Sequence, residues 1–146
     1  MNIRPIENED LPEIFEIYAQ SKLDELRFEN RDFELIHLEN DTKRWPKIKE
    51  SEIYVCEDDE ILGFGAIFRS EIRALFVSPT SRGRGVGKSL LELLLSKTGG
   101  NASLWVTSSN KPAMTLYSQY GFKIVREFFA SYNGQDVLVS EMVRRG

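Results

Sequence analysis

Cysteine and histidine are almost absent from this chain. Cys56 and His37 are the only ones among 146 residues. One cysteine excludes an intrachain disulfide, and one of each excludes a zinc site of the Cys/His kind. A Ser-His-Asp hydrolase would have to rest on His37, and no G-x-S-x-G nucleophile elbow is present. His37 reads as a partly exposed helical residue. Cys56, inside the strand-like run Glu52–Glu57, reads as a small apolar packing residue. No apolar run approaches the roughly 20 residues that a bilayer span needs. The opening Met1-Asn-Ile-Arg-Pro starts like a strand and lacks a basic-then-apolar signal segment. A cytoplasmic protein with no membrane partner is the simplest expectation. Linkers, internal repeats and low-complexity stretches are also missing, so residues 1–146 are expected to form one domain with a sizeable core.

Charge is present but unevenly spread. Residues 1–60 carry 8 Lys+Arg against 18 Asp+Glu, a net of −10, and residues 61–146 carry 11 against 5, a net of +6. The two halves sum to the overall −4. No extended basic stripe or arm is visible, which argues against nucleic acid. The basic half suits an anionic cofactor, and the acidic half could attract a cationic acceptor such as an amine or simply form solvated helix faces.

The basic half contains the most informative run, Arg82-Gly83-Arg84-Gly85-Val86-Gly87-Lys88. A strand-like segment precedes it, and Leu90, Leu91, Leu94 and Leu95 follow at helical spacing. Glycines permit a tight turn and close approach of the backbone to a ligand. The helix that starts there points unpaired N–H groups and its positive end at the loop, a ready phosphate site. A Walker A loop would need glycine where Arg82 stands, and a G-x-G-x-x-G fingerprint would need glycine at Lys88 or Leu90, so both patterns fail. What remains is R-x-x-G-x-G over Arg82, Gly85 and Gly87, or a glycine-rich βα connection without a ligand.

Two flanking blocks extend this pattern. Upstream, Glu71-Ile-Arg-Ala-Leu-Phe-Val-Ser-Pro79 is a strand ending at a proline. Downstream, the stretch Asn110 to Phe122 has Asn110 as a good N-cap, Pro112 in the first turn and Gly121 at a left-handed C′ position. Tyr117 shares its inner face with Ala113 and Leu116, where it could be a packed aromatic. In this order and spacing, from Glu71 to Phe122, the blocks resemble the fourth strand, pyrophosphate loop and closing helix of the GNAT family of N-acetyltransferases.

The remaining segments can be read in order. Met1–Ile6 is a short strand. Asp10 with Glu13 suggests a capping box before a helix whose apolar face is Leu11, Ile14, Phe15 and Tyr18. A second helix is expected over about Phe33–Glu39, with Pro46 ending whatever precedes it. Ile53–Glu57 and Ile61–Phe68 form an antiparallel pair around Asp58-Asp59. Leu104–Thr107 is a strand, and Lys123–Ala130 pairs with Val137–Val143 through the Asn133-Gly134 turn. This order predicts an α/β chain with a mixed sheet and helices on both faces. The resemblance sharpens that to a GNAT-like fold: a mostly antiparallel sheet of six or seven strands with a splayed parallel pair.

The resemblance implies acetyl-CoA as cosubstrate, no metal, and direct transfer of an acetyl group to a primary amine of a small molecule or peptide. It implies cofactor contacts from Leu75, Phe76 and Val77 of the strand, from Arg82, Gly83, Arg84, Gly85, Val86, Gly87 and Lys88 of the loop, and from Asn110. Backbone N–H groups of Leu75 and Val77 would hold the carbonyl oxygen, and Tyr117 would protonate the leaving thiolate. Glu71, eleven residues before Arg82, would take the amine proton or else serve the solubility of a strand edge. The acceptor pocket is expected around Asp24–Phe33 and Phe128–Tyr132. A CoA-binding module without transferase activity and a P-loop phosphohydrolase are the competing readings, and monomer and homodimer are both open.

Overall fold

Alternating and continuous apolar runs in the chain become seven strands. They are β1 (Asn2–Pro5), β2 (Glu52–Asp58), β3 (Glu60–Phe68), β4 (Glu71–Val77), β5 (Ala102–Thr107), β6 (Lys123–Tyr132) and β7 (Gln135–Arg144). The computed structural model describes residues 1–146. It joins the strands into one sheet of order β1-β2-β3-β4-β5-β7-β6. Every neighbouring pair is antiparallel except β4 and β5, which are parallel. Asp59 and the Asn133-Gly134 pair have positive φ, as the tight turns of the β2–β3 and β6–β7 hairpins require.

Four helices cover the sheet: α1 (Leu11–Leu26), α2 (Trp45–Lys49), α3 (Val86–Ser96) and α4 (Lys111–Gln119). On one face, α3 and α4 bury Leu90, Leu91, Leu94 and Tyr117 against Cys56, Leu62, Leu104 and Met142. On the other, α1 and α2 bury Ile14, Ile17, Tyr18 and Ile48 against Val55, Phe64 and Phe76. Burying each large side chain contributes about 1.5–3 kcal/mol. Because both faces are covered, β2 and β3 are apolar on both sides, which explains their unbroken hydrophobic character. Gly63 in β3 is required by packing. A Cβ there would lie 2.8 Å from the Phe76 carbonyl oxygen and 3.1 Å from Val86 Cγ1, so glycine lets the start of α3 settle onto the sheet.

A β-bulge aims the middle of the sheet. Ala66 pairs with Ala74 and Ile67 with Ile72, leaving Arg73 as the extra residue of β4. Ile72 therefore packs on the α3 face, while two and four residues later Ala74 and Phe76 pack on the α1 face. Arg73 stacks over Phe68, 4.2 Å from the ring centroid, and reaches the Lys47 carbonyl and the Glu50 carboxylate.

Two local expectations fail, for nonlocal reasons. No helix forms over Phe33–Glu39: His37 precedes a short 3-10 turn, Leu38–Asn40, and is not helical. The β6–β7 hairpin captures the backbone of this segment. Tyr132 Oη accepts the Ile36 N–H at 2.9 Å, Asn133 donates to the Glu34 carbonyl at 3.1 Å, and Gln135 to the Asp32 carbonyl at 3.0 Å. The second helix instead begins at Trp45, with Pro46 in its first turn, where a missing N–H is harmless. Likewise, the reciprocal capping box joins Glu7 and Asp10, not Asp10 and Glu13. Glu13 accepts the Ile61 N–H instead.

Arg4 explains why Asp10 is committed elsewhere. Its guanidinium makes two bonds to Asp10, at 2.8 and 3.0 Å, and two to Glu57, at 2.9 and 3.2 Å. This ties β1 to the start of α1 and the end of β2. The bond from Arg4 holds the buried Asp10 carboxyl below its usual range. A lowered folded-state value stabilises the fold above the unfolded value of about 3.9, and that contribution disappears as the pH falls through the folded value. Asp10→Asn is therefore expected to lower Tm at pH 7, with the gap to the parent protein narrowing below about pH 4. Thermal melts across that range check it, and a gap of constant size would remove Asp10 as the titrating group.

Candidate functional site

The parallel pair β4–β5 is held at only two positions, Glu71↔Ser103 and Ile72↔Leu104. Beyond them β4 stays with β3 as far as Val77, while β5 stays with β7 as far as Thr107. The strands part, and a cleft of about 1150 Å³ opens between them, roofed by α1 and the 40–47 segment and floored by α3 and α4.

Register decides which backbone groups face this cleft. Ser78 donates its N–H to the Leu62 carbonyl at 2.8 Å, so the narrow pairs of this ladder are Phe64↔Phe76 and Ala66↔Ala74. Ala74 and Phe76 thus direct their N–H groups at β3. Leu75 and Val77 direct theirs the other way, to where β5 has already departed. The Val77 carbonyl, on the same side, accepts Ser21 Oγ from α1 at 2.9 Å. Phe76 lines the cleft with its ring rather than with a backbone donor, packed edge-on to Tyr18 at 5.1 Å.

The glycine run forms the second wall. Gly83 and Gly85 have φ of +82° and +79°, and a Cβ on either would meet nothing within 4 Å. Backbone conformation, not crowding, selects glycine at both positions. Gly85 is the N-cap of α3 and has no side chain to cap it. The first backbone bond of the helix is from Ser89 to the Gly85 carbonyl, and the N–H groups from Gly83 to Lys88 have no acceptor in the protein. Gly87 differs from its neighbours. A Cβ there would make ordinary contacts, 3.5 Å to Val77 and 3.9 Å to Leu116, so folding alone does not demand glycine in this first helical turn. Glycine costs about 1 kcal/mol against alanine in a helix, and close approach of a ligand would account for that cost.

The loop cations separate. Arg82 lines the cleft and pairs with Asp24 of α1. Lys88 is exposed at its rim and makes no ion pair. The Arg84 side chain points elsewhere and pairs with Asp58 in the β2–β3 turn at 2.9 Å. Its backbone N–H remains among the unengaged groups of the loop.

The helix after β5 supplies the remaining groups. Asn110 caps α4, its side-chain oxygen accepting the Ala113 N–H at 3.3 Å, so only its Nδ2 stays free toward the cleft. Tyr117 is buried, edge-on to Phe122 at 5.6 Å, and its hydroxyl has no hydrogen-bond partner in the protein although the residue lines the cleft. Burial pushes the phenol well above its ordinary range, with the negative field of Glu25 adding to the effect. It remains a proton donor throughout the neutral range. Glu71 stands where β4 and β5 are still paired, about half exposed, its carboxylate 3.2 Å from Arg73.

Other residues enter the cleft that local sequence motifs did not mark. Lys22 and Arg44 line it beside Tyr132, Glu25 and Asp41. One signal was available. Ile14, Tyr18 and Lys22 recur four apart on the buried face of α1, and a lysine in that stripe is out of place unless it serves a site. No group of three His, Cys, Asp or Glu side chains is placed to hold a metal ion, and no helix is long and apolar enough to cross a membrane.

Comparison with known proteins gives this geometry its context. The model of the acetyltransferase (GNAT) domain matches residues 49–124, just over half of the chain. A peptidyl-lysine N-acetyltransferase, YjaB of Salmonella typhimurium, is 35% identical over 72 residues, which are 49% of this chain and 49% of that protein. The chain thus spans about half the length of that relative. A Bacillus subtilis protein provisionally named as a ribosomal protein bS18-alanine N-acetyltransferase is 27% identical over 94% of this chain and 91% of its own. Among solved structures, a GCN5-related N-acetyltransferase from Rhodopseudomonas palustris superposes with a TM-score of 0.81 at 17% identity, covering 97% of this chain and 93% of that one. The protein yncA from Salmonella typhimurium, provisionally named an acetyltransferase and solved with its cofactor acetyl-CoA, gives 0.69 at 18% identity over 98% and 92%. With the family model spanning the strand, loop and helix that build the cleft, the chain belongs to the GNAT family of acetyltransferases.

Proposed function

We propose that residues 1–146 act as one domain that transfers an acetyl group from acetyl-CoA to a primary amine, by direct attack within a ternary complex. The observation that carries this reading is the run of unengaged N–H groups from Gly83 to Lys88, opening on the same cleft as the Tyr117 hydroxyl. Acetyl-CoA supplies an activated thioester when bound. Its pyrophosphate suits the α3 N-terminus, with Arg82 and Lys88 adding charge and the bare backbone at Gly87 allowing close approach. The exposed pair of Arg82 with Asp24 is weak enough to open for such a ligand.

Three chain groups then divide the chemistry. The N–H groups of Leu75 and Val77 meet the carbonyl oxygen where negative charge develops. Tyr117 delivers a proton to the departing sulfur. Glu71, in contact with solvent at the closed end of the splay, takes the proton of the amine through water. The acceptor amine sits on a peptide, as the names of the relatives state for those proteins, or on a small molecule. A CoA-binding module without turnover is the alternative, and release of free thiol in the presence of an amine separates the two.

CoA and acetyl-CoA are expected to raise Tm, and ATP with magnesium to leave it unchanged. The reverse pattern in a thermal-shift assay would end this reading. Tyr117→Phe should lower kcat by about 10²-fold or more while CoA affinity stays close to that of the parent. Full activity in that variant would remove Tyr117 as the acid. Glu71→Gln should shift the acid limb of the kcat/KM profile, and an unmoved limb would assign the proton to another acceptor.

A further inference from the structure

The wall of the cleft made by α1, the start of α2 and Tyr132 holds two cations, of which only Lys22 is ion-paired. Lys22 is nine-tenths buried, its one ionic contact a 3.4 Å approach to Glu25, with its ammonium 4.9 Å from the centre of the Tyr132 ring. Arg44 lies between two aromatic rings, 5.5 Å from the centroids of both Tyr18 and Phe76. Its guanidinium makes no ion pair and no hydrogen bond, and its Nε is fully buried without a partner. The Tyr18 hydroxyl is likewise buried and unpartnered. Tyr132 Oη accepts the Ile36 N–H, so its own proton is free to donate.

Such a cluster is expensive unless something accepts its hydrogen bonds. A buried unsatisfied donor is destabilising, and more so when charged. The nearby carboxylates do not meet the need. Asp41 Oδ1 accepts the backbone N–H groups of Lys43 and Arg44, and Glu25 faces Lys22. Burial accordingly lowers the pKa of the Lys22 ammonium, against the pull of Glu25. A carboxylate or phosphate satisfies a guanidinium fork, an ammonium and a phenol together.

The polarity of the site adds the second half. Glu25 is the one charged side chain whose field acts on the Tyr117 hydroxyl, whereas at Tyr18 and Tyr132 the positive field of Arg44 is opposed by Asp41 and Glu25. An amine placed near Tyr117 therefore meets a carboxylate, and the unpartnered donors Arg44 Nε and Tyr18 Oη lie on the Tyr18–Tyr132 side. We propose that the acceptor is a small amine of amino-acid size carrying a carboxylate or phosphate, and that Arg44 and Lys22 bind this oxyanion while Glu25 faces the amine. This rests on the acetyltransferase reading above and names its substrate class.

Matched acceptor pairs test it with acetyl-CoA and a free-thiol readout: α-amino acids against their amides, and phosphoethanolamine against ethanolamine. The oxyanion-bearing member should have the higher kcat/KM by about 10- to 100-fold, and the arm that shows it identifies carboxylate or phosphate. Arg44→Gln should collapse that ratio mainly through KM, and Arg44→Lys should restore part of it. Equal use of both members, or a ratio unchanged in Arg44→Gln and Lys22→Met, overturns the proposal. So does acetylation of a peptide lysine at a rate indifferent to acidic neighbours while small acids are ignored. If no amine is acetylated, the transferase reading fails, and the oxyanion site is judged by binding alone. The Arg44 Nε–H resonance is followed by NMR during titration with N-acetylglycine, N-acetylglycinamide and inorganic phosphate. A shift with an oxyanion but not with the amide supports the site, while no shift, or the same shift with the amide, overturns it.

Discussion

The short parallel contact between β4 and β5 is the constraint on which the rest of this structure depends. Two paired positions hold the strands together, after which each follows its other neighbour. An unpaired strand edge inside a fold is costly, because backbone donors and acceptors must find partners. Here the edge is partly answered by Ser21, which reaches from α1 to the Val77 carbonyl. The N–H groups of Leu75 and Val77 are left facing the cleft. The same divergence gives the loop after β4 a space to open into, and sets α3 and α4 on one side of that space with α1 on the other.

Electrostatics follow from how the two halves of the chain fold together rather than from their separate totals. Part of the acidic surplus of residues 1–60 pairs with cations: Asp24 with Arg82, Asp58 with Arg84, and Asp10 and Glu57 with Arg4. What the acidic half contributes to the cleft includes Lys22 and Arg44, held among aromatic rings. The expectation that an acidic half attracts a cationic partner treats charge as a sum. Inside a cleft of low polarity, the few charges that face the ligand outweigh the many that face water.

The Tyr117 region shows how packing and chemistry share residues. Phe122 and the α3 leucines hold the tyrosine ring, Asn110 caps the helix that carries it, and burial keeps its phenol protonated. Each of these is a stability feature in its own right. Together they orient one hydroxyl, which no protein group engages, toward the cleft.

Short-range signals were legible in the chain by itself. The glycine loop, the leucine spacing of α3, the Asn110–Gly121 frame of α4 and the Asn133-Gly134 turn are set by contacts within one or two helical turns or within one hairpin. The placement of Tyr117 beside the loop followed from the family resemblance they carry. The tertiary structure alone decided three things. It unwound the expected Phe33–Glu39 helix, because the hairpin about one hundred residues later takes its hydrogen bonds. It turned the Arg84 side chain toward Asp58. It brought Lys22 and Arg44 to the same wall as Tyr132, although they stand 22 residues apart in the chain and lie on different elements. These outcomes depend on partners distant in sequence, whose proximity arises only when the sheet has formed and the two strands have parted.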